Sequence, residues 1–389
     1  MNEKIKAIAE DNVCIQRIKE KCVECGNCKN VCNRLVNISD ECVFCGQCVL
    51  NCPVGALTPV YAYKSVLNYV KDTNYVLAIS IAPAVRVSLG DYYNMPYGSV
   101  ITSKLITALK NIGFKYVFDV SYGADITTIE ESKELIERIE NNGVLPMFSS
   151  CCPAWVRYLS IKHPNLLDNL STTKSPIRIQ GIAVKDYFSN IMNIPKENII
   201  HVVVAPCTAK KYEVKKDPNI DFLITTTELN LMLKECNIDL LSLKESEFDK
   251  LISESSGTGE MFGCTNGVTN SIVNYLKNRN NILNSNDNVI HVINHNIRCL
   301  SICGLTNFKN INLQDYDFIE VMSCENGCVG GGGEPLNPIG ELSTVRNARM
   351  EALKNINLNK NKLISDNTEI DYFYKIMDQN KLHNKKEEL

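Results

Sequence analysis

Cysteine is the residue through which this sequence could do chemistry: there are 18 in 389 residues, and most fall in groups. Residues 22–52 hold two copies of one rhythm, Cys22, Cys25, Cys28, Cys32 and then Cys42, Cys45, Cys48, Cys52 followed by Pro53. Further along, Cys151 and Cys152 are adjacent, Cys207 follows Pro206, and Cys324 and Cys328 stand four apart ahead of the four glycines 330–333. Thiolates in such groups bind soft metals and iron–sulfur clusters. Glycine at that density brings backbone against something bulky, and no Gly-Lys-Ser/Thr follows that would make it a phosphate loop. A disulfide framework is the competing use of so many cysteines, but it belongs to small exported chains. This chain is large, and its opening stretch, MNEKIKAIAEDN, has neither an apolar core nor a small-residue cleavage site. The expectation is a cytoplasmic protein with metal-bound thiols.

The front rhythm, C-x2-C-x2-C-x3-C, is that of bacterial ferredoxins, in which three close thiolates hold one cubane and the fourth reaches the neighbouring one. It assigns Cys22, Cys25, Cys28 and Cys52 to one 4Fe-4S cluster, and Cys42, Cys45, Cys48 and Cys32 to the other. Zinc is the alternative, but structural zinc favours two separated cysteine pairs, often with histidine. Two linked clusters conduct electrons and do no chemistry themselves, so the rest of the chain should consume or supply electrons. A helical connector at residues 61–74 closes this α+β ferredoxin-like domain, residues 1–75, and leads into a larger second domain.

Four apolar β-like runs then end at special residues: VLAISIA at Pro83, VLPMFSS at Cys151, NIIHVVVA at Pro206 and Cys207, and DFIEVM ahead of Cys324. Helical stretches such as ITSKLITALKNIG and TTTELNLMLKE lie between them, which predicts an α/β domain over residues 76–335. In open α/β sheets, sites form beyond the carboxyl ends of strands, so four such endings can gather around one cofactor. Cys151 and Cys152 point to opposite sides of an extended segment and should not both bind it. Setting one aside leaves four thiolates, the number a 4Fe-4S cube requires, and a fifth thiol able to exchange protons.

Three stretches, SSCCPAW (149–155), PCTAKKYE (206–213) and EVMSCENGCVGGGGEP (320–335), resemble the signatures of the FeFe hydrogenases. The two-cluster front is similar to theirs too, and the likeness covers nearly the whole chain. What the resemblance implies is an H-cluster: a 4Fe-4S cube joined through a cysteine sulfur to a two-iron unit carrying CO, cyanide and a bridging dithiolate amine. Carried over, Cys152, Cys207, Cys324 and Cys328 would bind the cube, with Cys328 bridging. Cys151 would pass protons to and from the amine, and Lys210 would hydrogen-bond a cyanide. Pro83, Ala84, Phe262 and Met322 would line the two-iron pocket.

A proton must also reach that centre. TTIEESKELIERIENNG reads as a helix capped by Thr127 or Thr128 and ended by Gly143, with Glu131, Glu134 and Arg138 on one face. Spacing alone makes Glu134 and Arg138 an ordinary solvated pair. The resemblance instead implies a relay of Cys151, Glu131, a water, Ser171, and Glu134 near Arg138. Three positions depart from the family pattern: Ala205 where many members have Met, Ala84 for a frequent Ser, and Ile177 for a frequent Gln. These departures suggest an altered potential or catalytic bias, with the site retained.

The remaining residues read more plainly. Cys14, Cys236, Cys264, Cys299 and Cys303 lack ligand spacing and read as packed thiols, and the five histidines form no metal set. Residues 336–389 are polar and helical, a belt on the main domain. A formal charge of -3 and 44% hydrophobic residues with no membrane-length apolar run give no reason to propose nucleic acid or membrane. The reading is thus an anaerobic, ferredoxin-dependent hydrogenase acting on H2 and protons, its centre supplied by maturation proteins. A hydrogen sensor or an iron–sulfur assembly or scaffold protein are the rivals.

Overall fold

The structure is a computed structural model that describes residues 12–37, 41–251, 255–280, 289–292, 295–360, 364 and 368–384. The opening stretch up to residue 11 and the charged end from residue 385 lie outside the described residues.

Among the described residues ten strands form three sheets: β1 (Ile15–Arg17), β2 (Leu57–Pro59), β3 (Val76–Ile81), β4 (Tyr116–Asp119), β5 (Met147–Phe148), β6 (Ile199–Ala205), β7 (Phe222–Thr225), β8 (Val289–Val292), β9 (His295–Cys303) and β10 (Phe318–Met322). One sheet has the order β4-β3-β6-β7 and is parallel throughout. Its centre, β3 and β6, is buried along nearly its whole length, as expected for strands covered on both faces. Leu77, Ile79, Ile81, Val202 and Val204 pack on one face against the helix Thr102–Ile112. Ala78 and Phe118 meet Tyr122, Ile126, Ile179 and Ile182 on the other. The second sheet has the order β5-β10-β9-β8, parallel except for the β8–β9 pair. The carboxyl ends of β3 and β6 in one sheet and of β5 and β10 in the other run toward one region, the arrangement in which α/β proteins build sites.

At the front, β1 and β2 pair antiparallel around two short helices, Asn27–Leu35 and Gln47–Leu50. The cysteine rhythm is repeated in the backbone: Glu24 and Gly26 have φ 54° and 73°, and Phe44 and Gly46, twenty residues on, have φ 60° and 71°. Two copies of one tight loop thus precede two helix starts. This front shares its core with the second sheet, because Ile15, Val43, Val49 and Leu57 pack in one cluster with Phe148, Trp155, Ile319 and Val321.

The helix expected from Thr127 begins earlier and spans Ser121–Glu140. Thr127 and Thr128 are buried inside it, their hydroxyls donating to the carbonyls of Gly123 and Ala124, so neither is a cap. Packing sets this start: no side chain caps the first turn, and a Cβ on Gly123 would sit 2.2 Å from the carbonyl oxygen of Pro176. At the other end Gly143 donates to the carbonyl of Arg138 and closes the helix. After Pro335 the helix Leu342–Asn359 lies across the main body, with Arg349 paired to Asp91 at 2.7 Å. Among the described residues no helix is long and apolar enough to cross a membrane.

Candidate active site

A cavity of about 100 Å³ opens where the strand ends converge, and its walls are almost wholly apolar. From the end of β3 come Pro83 and Ala84; Pro83 starts a short helix, so the chain turns at the cavity's edge. From β5 come Cys151 and Cys152, with Pro153 as the first residue of the helix Pro153–Lys162. From β6 come Ala205, Cys207 and Lys210. Met322, Cys324 and Cys328 follow from β10, while Phe262 and Ile177 complete the walls. The four cysteines expected as cube ligands and the fifth, Cys151, therefore border one space. Among the described residues no three His, Cys, Asp or Glu side chains are grouped so as to hold a single metal ion.

Backbone holds one side of the Cys328 loop, while Arg349 Nη1 donates to its Val329 carbonyl at 2.9 Å. Gly327, at φ 79°, lies so close to the Phe262 segment that a Cβ would sit 2.3 Å from the Gly263 carbonyl oxygen, and that carbonyl accepts a bond from Cys328 N at 2.7 Å. On the far side the glycine run presses on the front module, where a Cβ on Gly332 would lie 2.4 Å from Gly46 Cα and 2.6 Å from the Cys45 carbonyl oxygen. Gln47 fastens the same junction. Its Nε2 donates to Cys324 Sγ at 3.3 Å and to Gly330 O at 2.8 Å, and its Oε1 accepts from Arg346 Nη2 at 3.1 Å.

Burial pushes the Cys207 thiol up to about 11 and raises those of Cys152, Cys324 and Cys328, with Lys210 opposing the rise at all but Cys324. Without metal these groups are neutral thiols, so a cluster must displace their protons on binding. Lys210 donates to the Cys151 carbonyl at 2.8 Å and pairs with Glu213 at 2.7 Å. Burial works against its charge, but Glu213 and the neighbouring thiols outweigh that and hold it above the ordinary lysine value. Four thiols, a retained cation and an apolar chamber fit an iron–sulfur centre that carries negative charge.

Behind Cys151 lies a line of polar groups in the protein interior. Glu131 is fully buried; neither carboxyl oxygen makes a well-formed hydrogen bond among the described residues, although the Ser150 amide and the Ser171 hydroxyl approach it. Burial, reinforced by Glu134, pushes it up to about 8, so it holds a proton at neutrality. Burial, again with Glu131, raises the Cys151 thiol. Ser171 is fixed by its amide on the Phe148 carbonyl at 2.7 Å, and its hydroxyl donates to Glu134 Oε2 at 2.9 Å. Arg138 Nη2 closes on Glu134 Oε1 at 2.6 Å.

Some residues at the site gave no signal in the sequence. Glu260 borders the cavity, paired with Arg86 at 2.7 Å and Lys360 at 2.6 Å. Glu320, buried in β10, accepts from the Asn266 and Thr269 amides at 2.9 and 2.8 Å and is pushed up to about 7 by that burial. Gln47 stands inside a cysteine motif whose spacing speaks only for the cysteines. Cys14, Cys264 and Cys299 are packed among apolar residues.

Residues 75–332 match the family described as iron only hydrogenase large subunit, C-terminal domain, and residues 36–58 match a 4Fe-4S binding domain. The chain is 36% identical over 371 residues to iron hydrogenase 1 of Clostridium pasteurianum, covering 82% of this chain and 65% of that protein. It therefore spans just under two thirds of that relative. It is also 28% identical over 313 residues to the cytosolic Fe-S cluster assembly factor narfl of Danio rerio, covering 69% of this chain and 74% of that one. Among solved structures, the FeFe-hydrogenase HydA(deltaEFG), from work on stepwise H-cluster assembly, superposes with a TM-score of 0.69 at 25% identity over 81% of this chain and 94% of that one. With the family match running through every strand that feeds the cavity, the chain belongs to the iron-only hydrogenase large-subunit family.

Proposed function

We propose that this protein is an FeFe hydrogenase that interconverts protons and H2, taking electrons from a ferredoxin-type carrier in the cytoplasm. The observation that carries the reading is the convergence of Cys152, Cys207, Cys324 and Cys328 on one apolar cavity, with Cys151 and Lys210 beside them. When bound, the H-cluster supplies the redox chemistry of H2, which no amino-acid side chain can perform. The four cysteines would hold it, Cys328 as the bridge to the two-iron unit. Lys210, fixed by Glu213, would stabilise anionic ligands as a compact cation. The apolar walls keep water from the centre. Cys151 would hold the proton to be delivered, with Glu131, Ser171 and Glu134 behind it as groups that can each pass one on. Eight front cysteines would hold two 4Fe-4S clusters as the electron path, and maturation proteins would install the two-iron unit.

The likeness to cytosolic Fe-S assembly factors favours a second reading, a family member without the two-iron unit. Infrared spectra of anaerobically matured protein separate the two. Bands from CO and cyanide, together with H2 evolution from a reduced low-potential carrier, are expected; their absence leaves the assembly reading. In Cys151→Ala the bands should persist while turnover falls by roughly 10² to 10⁴-fold, the range for losing a positioned proton-transfer group. Ordinary activity in that variant would remove Cys151 from the relay.

A further inference from the structure

We propose that His383 is the surface donor and acceptor of protons for the outer end of the relay, joined to Glu134 through the Thr172 hydroxyl. This rests on the proton route through Cys151, Glu131, Ser171 and Glu134 and extends it to solvent. Glu134 is itself well shielded, its side chain 11% exposed, and its outer flank is closed by Arg138. That guanidinium also donates to the carbonyls of Val144, Asp168, Asn169 and Leu170. An arginine cannot give up its proton in a protein, so Arg138 can position Glu134 but cannot load it.

Thr172 offers another way out. Its hydroxyl donates to Glu134 Oε2 at 3.1 Å and lies 2.9 Å from His383 Nδ1. The other ring nitrogen, Nε2, is 3.0 Å from Glu130 Oε2, and the His383 side chain is 31% exposed. Backbone bonds hold the ring here: Lys174 N donates to the Leu382 carbonyl at 2.8 Å and Asn384 N to the Thr172 carbonyl at 2.6 Å, with Leu382 fully buried. Glu130 faces the ring together with Lys133, at 2.7 Å from Glu130 Oε1, and Tyr374, whose hydroxyl donates to the same oxygen at 2.6 Å. Burial opposes the charge on Glu130, but the bonds from His383, Lys133 and Tyr374 outweigh it and hold the carboxyl at about 2. A permanent anion thus sits against a ring that must carry positive charge in every cycle.

The step moves protons only. An imidazolium gives its Nδ1 proton to the Thr172 oxygen as the Thr172 hydroxyl proton passes to a Glu134 oxygen, leaving a neutral imidazole still bonded through Nε2–H to Glu130. The exposed ring then takes a proton from water. For H2 oxidation the same transfers run in reverse.

The test uses matured holoenzyme. His383→Ala should lower H2 evolution by about tenfold, less than loss of a group acting at the transition state because solvent partly substitutes. Imidazole added to the assay should restore most of that loss, a rescue that a purely structural role would not show. His383→Gln keeps a bond partner for Thr172 or Glu130 but cannot carry the charge; it should be equally slow with unchanged Tm and infrared bands. Wild-type rates and pH profile in both variants would overturn the proposal. Glu134→Gln, measured alongside, tells the two failures apart: if it alone is slow, the relay stands without His383, and if it too is fast, the relay itself is wrong and His383 falls with it.

Discussion

Gln47 cannot turn its amide. Arg346 brings only donors to Oε1, so Nε2 must face Gly330 and the sulfur of Cys324, where it makes its 3.3 Å contact inside the protein. Hydrogen bonds to cluster sulfurs stabilise the reduced, more negative state and raise the potential. With Cys324 as a ligand of the proposed cube, Gln47→Leu should therefore make that cube harder to reduce. The expected change is about tenfold in the oxidised-to-reduced ratio at fixed potential, which is about 59 mV for one electron. An EPR redox titration of the cube measures it directly; a midpoint equal to wild type would show that the contact does not tune the centre. Such an effect was invisible in the sequence for a definite reason. Spacing identifies ligands because a cluster demands sulfurs at fixed intervals, whereas a second partner such as Gln47 is chosen by a loop nearly three hundred residues away.

At the scale of elements, the legible features were those a local rule governs. Apolar runs with special endings gave β3, β6 and β10, and the cysteine rhythm gave the doubled front loops. What escaped was set by long-range packing. The helix Ser121–Glu140 starts six residues ahead of its apparent threonine cap because its first turns are buried, where partners rather than caps decide. β5 is only two residues long, since the chain leaves the sheet at once to present Ser149 through Cys152. The glycine run was conspicuous, yet its partner, the Cys45–Gly46 loop, was not. Gly332 and Gly46 meet backbone to backbone, and Gly26, which occupies the equivalent place in the first repeat, has nothing within 4 Å. Gly332→Ala should consequently cost about 1–3 kcal/mol, the usual penalty of overpacking where backbone cannot yield. Chemical denaturation should show this loss, and Gly340→Ala, which meets nothing within 4 Å, should show none. Equal midpoints for the two variants would mean that the front loop moves aside freely.

For the molecule as a whole, the front module and the cavity are one body joined by a shared core, and the cysteines grade from outside to inside along it. Cys25 is exposed, Cys48 is buried, and Cys324 lies beyond Gln47 next to the cavity. Electrons from a carrier should accordingly enter at the Cys22, Cys25 and Cys28 end. The described surface there is basic in balance: Lys19, Lys21, Lys29 and Arg34 are exposed, against Glu20 and Glu24. Opposite charge on a partner raises the encounter rate, and salt weakens this over a Debye length of about 10 Å at 0.1 M. If the proposed carrier is an acidic ferredoxin, its efficiency should therefore fall as ionic strength rises, while a small dye such as methyl viologen should not follow the same trend. Reversing charge with Lys21→Glu and Lys29→Glu together should raise KM for the ferredoxin by roughly tenfold, the scale on which steering acts, and leave kcat and dye-driven turnover unchanged. If the double variant accepts ferredoxin as well as wild type does, the carrier docks on another face, and Cys25 is not the entrance.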